Sequence, residues 1–400
     1  MSALQIKVSS IKSLILISML LAPSLFNAVL SVINANLFPI NTGMVIASEL
    51  LILSYFAWFV LTQGIQFQER FIIIPILAAV FALITCSLAA GWLTLDFFRL
   101  MLIILLGYLT GRRLRVDQIT LAIKALAVIV FSVLLLEMIS IETYAGWFAP
   151  AEYYANTRGQ DVSEFNETGL FNNALGFEGR FGYGIWSGPR TASVFLEQVS
   201  LSNFITVLMI AIITLKGSFS RYWLIFFGVL TVVALLTNEG RSSMALTLVF
   251  LAGYFVFPKI PRSLVYLIVP FVLLAGAVFL QVYTQGYSDS FNGRLYGSFI
   301  DFYELKLSDY LGLGADKIYQ YYDSGYAYLI VSGTVFGFLA FIYLLISHNR
   351  LQSASADRNY WATNLFYSLN LCIGASAVFT IKIAFLVWLL AGFASVRKPN

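Results

Sequence analysis

Apolar residues in this chain run on without alternation for about 20 positions at a time, the length that carries a helix across a bilayer core of about 30 Å. A transmembrane β-barrel is excluded, because its strands alternate apolar and polar side chains. The pattern therefore predicts an all-α, polytopic bundle of about twelve transmembrane helices that forms one integral membrane domain over residues 1–400. The predicted spans are 13–31, 43–62, 71–90, 93–110, 119–140, 193–215, 222–237, 240–257, 264–284, 326–347, 362–380 and 381–396.

Composition supports this class and restricts the chemistry. The 400 residues are 60% hydrophobic and 11% charged, whereas a soluble domain carries about 25% charged residues. The single histidine, His348, excludes a multi-histidine metal site, and Cys86 and Cys372 lie inside apolar spans as small buried hydrophobes. The chain has no nucleotide-binding or zinc-protease motif in a plausible context. We therefore expect no cofactor, no bound metal and no nucleic-acid partner.

Basic residues alternate between the segments that connect the predicted spans. One set falls on a single side of the membrane if the spans are threaded in order, and the stretch GRRLR at 111–115 is its clearest marker. The positive-inside rule predicts that this side, with both termini, is cytoplasmic. The set comprises Lys7, Lys12, Arg70, Arg112, Arg113, Arg115, Lys216, Arg221, Lys259, Arg262, Arg350, Arg358, Arg397 and Lys398.

Two long polar segments, 141–192 and 285–325, are predicted to be loops on the opposite, external side. Long loops on one face of a bundle are where binding and chemistry usually concentrate. Their many aromatic residues can pack a folded cap, lie in the membrane interface or stack on sugar rings. Carboxylates accept hydrogen bonds from sugar hydroxyls, which suits a carbohydrate ligand. The loop acids are Glu142, Glu152, Asp161, Glu164, Glu167, Glu178, Asp289, Asp301, Glu304, Asp309, Asp316 and Asp323.

Ionisable residues at membrane depth are costly and are functional candidates by default. Asp96 and Arg99 are three residues apart and are expected to pair on one helix face. Glu137 is predicted to reach the external interface from the end of its span. Other ionisable residues in the spans are Glu49, Lys124, Glu197 and Lys382.

A separate group of charged residues clusters at the predicted outer ends of spans. Arg190 and Glu197 are seven residues apart, so a continuous helix would place both on one face. Arginines are uncommon on the external side, and the guanidinium suits a diphosphate because it stays charged and binds in a bidentate manner. The alternative is a set of interface salt bridges with the loop acids. The group comprises Arg190, Glu197, Glu239, Arg241, Arg294 and Asp323.

Four segments containing these residues resemble, in order and placement, the bacterial polysaccharide polymerases of the Wzy type, in the superfamily that includes the O-antigen ligases. The first has an arginine before a small-x-Phe element that opens a span, and the second is a Gly-Arg turn. The third has a loop arginine followed by a Gly-x-Gly element, and the fourth has a polar residue before a Gly-rich span. The segments are GPRTASVFLEQVSLSNF at 188–204, TNEGRSSMALTLVF at 237–250, NGRLYGSF at 292–299 with LGLGAD at 311–316, and DSGYAYLIVSGTVFGFLAF at 323–341.

The resemblance implies a GT-C-like, metal-independent glycosyltransferase in the bacterial inner membrane, acting at the periplasmic face. It would join undecaprenyl-diphosphate-linked repeat units into an O-antigen or exopolysaccharide chain and release undecaprenyl diphosphate. Donor and acceptor are both lipid-linked, and a chain-length regulator and a flippase are the implied protein partners. The catalytic residues carried over by position are Arg190, Arg241, Arg294, Asp323 and Glu197.

Two other functions remain open at this stage. An O-antigen ligase carries a histidine just before the Gly-rich span, where this chain has Asp323, while His348 is predicted to lie on the opposite side. That difference favours a polymerase and makes Asp323 the preferred candidate for the base, with Glu197 and Glu239 as alternatives. A lipid-linked sugar flippase or transporter has a similar number of spans, but its polar residues usually line a central path rather than external loops.

Overall fold

The computed structural model describes residues 3–160, 168–175, 182–288, 290–375 and 377–396, with residues 3–13 described by their backbone alone. Every regular element in this part of the chain is a helix, so the predicted all-α class is confirmed there. The α-helices are α1 (Ala3–Asn36), α2 (Thr42–Gln63), α3 (Ile73–Ala90), α4 (Asp96–Arg113), α5 (Val116–Ile139), α6 (Ile141–Phe148), α7 (Pro150–Arg158), α8 (Gln198–Leu215), α9 (Arg221–Asn238), α10 (Arg241–Val256), α11 (Ile268–Val282), α12 (Phe291–Tyr303), α13 (Leu307–Tyr310), α14 (Gly325–Ser347), α15 (Ala354–Asn370) and α16 (Ile381–Ala394).

Nine of these helices, some extended by a short 3₁₀ turn, are long and apolar enough to cross a membrane, counting only the described residues. They are α1, α2, α3, α5, α8, α9, α10, α11 and α14. Their high content of apolar residues is typical of helices that face lipid or are buried in protein. The prediction of a helical membrane protein is therefore confirmed.

The span predicted at 362–380 does not match the helix that the structure contains. Helix α15 begins at Ala354, where the Ser353 hydroxyl accepts a hydrogen bond from the Ala356 amide (3.2 Å), and it ends at Asn370. Residues 371–375 and 377–380 form turns, bends or irregular backbone rather than further helix. The apolar pattern misplaced this element because α15 is polar and lies buried in protein, with Asn359, Asn364 and Ser368 all within it.

The chain divides into two compact units. The first comprises Met1–Trp58 and Leu114–Thr247, and the second comprises Phe59–Arg113 and Leu248–Asn400.

In the first unit, the described part of the predicted 141–192 loop folds against α1. The Tyr153 hydroxyl donates to Asn27 Oδ1 (2.8 Å), and the Ser31 hydroxyl donates to the Phe148 carbonyl. Tyr144, Tyr153 and Tyr154 are almost completely buried. These aromatic residues therefore pack a folded cap, which is one of the three uses that the sequence left open.

In the second unit, α4 and α16 approach until their backbones touch. A Cβ atom at Gly111 would overlap the Leu389 carbonyl oxygen, and one at Gly392 would overlap the Tyr108 carbonyl oxygen. A Cβ at Gly107 would lie 2.8 Å from the Phe385 carbonyl oxygen. Small residues at four-residue spacing allow this close approach in membrane helices.

In the basic stretch at 111–115, residues 111–113 belong to the second unit and residues 114 and 115 to the first. Arg112 and Arg113 are nearly buried and both bind the Glu69 carboxylate, which has no exposed surface (2.9 and 3.0 Å). Arg113 also donates to the carbonyls of Leu109 and Gly64. This network joins the end of α4 to the turn before α3, so the two arginines stabilise the fold of the second unit. Arg397 and Lys398 lie outside the described residues, as do the side chains of Lys7 and Lys12.

Candidate functional site

The segment that carries Arg190 and Glu197 is not a helix, and the prediction that one helix face presents both residues is wrong. Residues 190–192 are irregular, Ser193–Phe195 form one 3₁₀ turn, and α8 begins only at Gln198. Ser193 and Leu196 have φ angles of 51° and 64°, which L-residues rarely adopt. The α-helix cannot continue back through these positions, so the sequence spacing has no geometric meaning here.

The Glu137 carboxylate holds this irregular segment in place. It accepts hydrogen bonds from the backbone amides of Ala192 (3.0 Å) and Ser193 (2.7 Å). The Ser193 hydroxyl donates to the Val130 carbonyl (2.7 Å), and its own carbonyl accepts from the Tyr144 hydroxyl (2.7 Å). Glu137 is 3% exposed, so the prediction that it reaches the membrane interface is wrong: backbone amides solvate its carboxylate instead of water.

Glu197 forms an ion pair with Arg158 at the end of α7, and its other oxygen accepts from the Ser200 hydroxyl (2.8 Å). The Arg158 guanidinium also lies over the Tyr154 ring, 4.3 Å from its centroid. Glu197 thus ties the folded cap to the start of α8. Both carboxylate oxygens of Glu197 are therefore engaged, one by Arg158 and the other by Ser200.

Arg190 is positioned by the end of α9. Its Nε donates to the Asn238 carbonyl, and its backbone amide donates to the Ala174 carbonyl (3.0 Å). The Asn238 side chain donates in turn to the carbonyls of Thr191 (2.6 Å) and Gln198 (2.8 Å). The Arg190 segment is therefore bound directly to the TNEGRSS turn, and two of the four resemblance segments meet here.

Arg190 and Arg241 lie in one neighbourhood around Tyr183. The Glu239 carboxylate accepts from the Tyr183 amide (3.1 Å), and Glu239 has a φ of 57° at the turn before α10. Burial raises the pKa of Tyr183, and Glu239 raises it further, while Arg190 and Arg241 oppose the rise. Arg190 also binds the carbonyl of Asn238, three residues before Arg241, so the structure brings these two predicted residues to one turn, at the start of α10. We call Arg190, Arg241, Tyr183 and Glu239 the arginine cluster.

A pocket of about 350 Å³ in the second unit brings together the other two predicted residues, Arg294 and Asp323. One wall is a stripe of α12 with the helical spacing i, i+3, i+4 and i+7. The pocket is lined by Tyr287, Arg294, Gly297, Ser298, Ile300, Asp301, Gln320 and Asp323. A Cβ at Gly297 would lie 2.7 Å from Tyr287 Cδ2, so glycine at this position lets the tyrosine ring pack against the helix. We call this cavity the α12 pocket.

Sequence reasoning counted Asp301 among the loop acids but did not single it out. Burial raises the pKa of Asp301 to about 6, and the nearby Glu304 and Asp323 carboxylates add to the rise. Asp301 follows Arg294 by seven residues within a continuous helix. That spacing is the sequence signal that could have found it.

The Gly-x-Gly element and the Gly-rich span also meet in the second unit. Helix α14 is interrupted at Thr334, which has a φ of 61° and a ψ of 173° and is buried. A Cβ at Gly312 would lie 2.9 Å from Thr334 Cγ2 and 3.0 Å from Cys86 Sγ. The LGLGAD turn therefore packs against the break in α14, which helps to fix the loop that leads to Asp323.

His348 follows α14 and is 1% exposed. Its ring lies 5.2 Å from the Tyr360 ring and 5.4 Å from the Trp388 ring, and its Nδ1 is 2.8 Å from the Leu345 carbonyl oxygen. The histidine is part of the protein interior and is not among the residues that line the α12 pocket.

Five of the predicted loop acids, namely Asp161, Glu164, Glu167, Glu178 and Asp289, lie outside the described residues. The chain matches no family model, no curated protein and no solved structure.

Proposed function

We propose that this chain is a polysaccharide polymerase that joins undecaprenyl-diphosphate-linked repeat units at the periplasmic face of the bacterial inner membrane. The observation that carries the proposal is that Arg190 donates to the carbonyl of Asn238, in the turn that leads directly to Arg241 at the start of α10. Two guanidinium groups beside the first turn of α10 suit a diphosphate, because helix N-termini also favour anions.

The chemistry follows from the charge that develops during transfer. Breaking the bond between a sugar and a diphosphate leaves negative charge on the departing oxygen, and fixed arginines stabilise that charge. Arg190 is held by backbone contacts to Ala174 and Asn238, so it does not have to be reorganised when the charge forms. Undecaprenyl diphosphate is the product released.

The proposed membrane topology has twelve spans and cytoplasmic termini. The nine long apolar helices are completed by α4, α15 and α16. Helix α4 carries four charged residues, α15 is polar and α16 has only 14 residues. Most residues of α15 and all residues of α16 are buried in protein, so their composition need not match lipid.

Reporter fusions test this topology directly. We expect fusions at residues 152 and 305 to report the periplasm and fusions at 114 and 353 the cytoplasm, because the basic residues alternate between sides. A cytoplasmic signal at residue 152 would contradict the proposed location of the arginine cluster.

Reconstitution tests the activity. The purified protein, given only lipid-linked repeat units, is expected to produce a ladder of lipid-linked oligomers without nucleotide sugar. A strict requirement for a nucleotide sugar would overturn the proposal.

Deletion of the gene separates the polymerase from the ligase and the flippase. Loss of a polymerase leaves single repeat units on the carrier lipid or on their final acceptor, whereas loss of a ligase leaves long chains on the carrier. Loss of a flippase leaves repeat units on the cytoplasmic side of the membrane. Long lipid-linked chains in the deletion strain would contradict a polymerase.

A further inference from the structure

The α12 pocket offers the mixture of groups that binds a sugar. Arg294 and Gln320 supply hydrogen-bond donors, Asp301 and Asp323 supply acceptors, and Tyr287 supplies an aromatic ring. Sugar hydroxyls both donate and accept hydrogen bonds, so a site for them needs both kinds of group. A volume of about 350 Å³ lies within the range of small-molecule sites, about 300–1,000 Å³.

Resting on the proposed function, we propose that the α12 pocket binds the acceptor sugar and that Asp301 is the base that takes the proton from its attacking hydroxyl. Asp301 lies on the same stripe of α12 as Arg294, two helical turns away, or about 10 Å along the axis. A sugar that hydrogen-bonds to Arg294 can therefore extend to Asp301. Asp323 enters from the segment before α14 and binds the sugar without taking the proton.

The transfer step balances as follows. The acceptor oxygen forms a bond to the anomeric carbon of the donor glycan, and its proton moves to the Asp301 carboxylate. The bond between the anomeric carbon and the diphosphate oxygen breaks, and the electron pair leaves with the diphosphate. Asp301 then releases the proton to water.

Asp301 is better suited to this task than Asp323 because of its surroundings. It is half-buried, while Asp323 is exposed. The ionisable or charged groups around it are Arg294 on α12, Glu304 directly after that helix, Tyr287, and Tyr321 and Asp323 from the segment before α14. The neighbouring helices α11 and α14 contain no Asp, Glu, Lys or Arg. Burial, together with the Glu304 and Asp323 carboxylates, raises the pKa of Asp301 to about 6. This value is closer to neutrality than that of an ordinary aspartate, which favours proton transfer at physiological pH.

The test compares rates and pH profiles in the reconstituted ladder assay. We expect Asp301→Asn to lower kcat about 10²–10⁴-fold, the usual contribution of a positioned base, with little change in KM for the acceptor. Asp323→Asn should mainly raise KM. The wild-type rate should fall as the pH drops below about 6, because a carboxylate with a raised pKa is protonated and inactive as a base on the acidic side of that value.

Glu304→Gln is the matched control at the end of the same helix. Removing one neighbouring negative charge should lower the pKa of Asp301, so the acidic limb should move to lower pH while the maximal rate stays near wild type. If Asp301→Asn proves unstable, Asp301→Glu takes its place in the test. It keeps a carboxylate and should therefore retain partial activity.

If Asp301→Asn makes the ladder at the wild-type rate and with the wild-type loss of rate at low pH, the assignment of the base is overturned and the polymerase proposal stands. A wild-type rate that does not fall at low pH would overturn the assignment of the base as well. Absence of any ladder from the wild-type protein would instead contradict the proposed function.

Discussion

Alanine at Arg190 or at Arg241 is expected to lower the rate of polymerisation about 10²–10³-fold while the protein still inserts into the membrane. Each arginine contributes to the same cluster around Tyr183, so either loss leaves the developing charge on the diphosphate with one partner fewer. The measurement is the ladder assay with purified variants, or polymer length in cells at matched protein levels.

Arginine-to-lysine variants and a distant arginine provide the controls. Lysine keeps the charge but loses the bidentate geometry, so Arg190→Lys and Arg241→Lys should recover only part of the activity. Arg221→Ala should behave like wild type, because Arg221 is an exposed residue at the start of α9 whose guanidinium contacts the adjacent Tyr222. Near-normal polymer from both alanine variants would show that the cluster is structural.

Alanine at Gly111 is expected to destabilise the second unit by about 1–3 kcal/mol or more, the cost of overpacking a closely packed interface. The added methyl group would overlap the Leu389 carbonyl, which belongs to the backbone of α16 and cannot rotate away as a side chain could. The measurement is the unfolding temperature of the purified protein in detergent.

Gly228 in α9 is the matched control, since it is also a helical glycine but a Cβ added there meets no atom within 4 Å. Gly228→Ala should leave the unfolding temperature unchanged or raise it slightly, because alanine favours the helix by about 1 kcal/mol. Equal stability of the two variants would contradict the close α4–α16 packing.

A spacing of seven residues predicts that two side chains share one helix face, but only where the chain forms a continuous helix. It was applied to Arg190 and Glu197, where it fails because strained turns at Ser193 and Leu196 interrupt the helix. It holds for Arg294 and Asp301, which both line the α12 pocket. Helical spacing is informative only inside a helix, and the beginning of a helix depends on contacts that a short window of sequence does not contain.

The partners of buried charged residues are also not predictable from a short window of sequence. Glu137 contacts Ser193, 56 positions later, and Glu69 contacts Arg113, 44 positions later. The sequence marked Glu137 as unusual because a carboxylate within an apolar run is costly. It could not supply the backbone amides that solvate the carboxylate, since an irregular segment beyond the folded cap provides them. Glu69 carries no such signal, because it precedes the apolar run at 71–90.

The sequence by itself determined that this is an all-helical membrane protein, because crossing a bilayer requires only a long apolar run whose backbone groups bond within the same helix. Only the tertiary structure decided that α15 is a buried polar helix, that Arg190 binds the turn leading to Arg241, and that Asp301 joins Arg294 and Asp323 in one pocket. Those arrangements depend on pairings between distant segments, and the free energy of such pairings belongs to the packed fold rather than to any one stretch of residues.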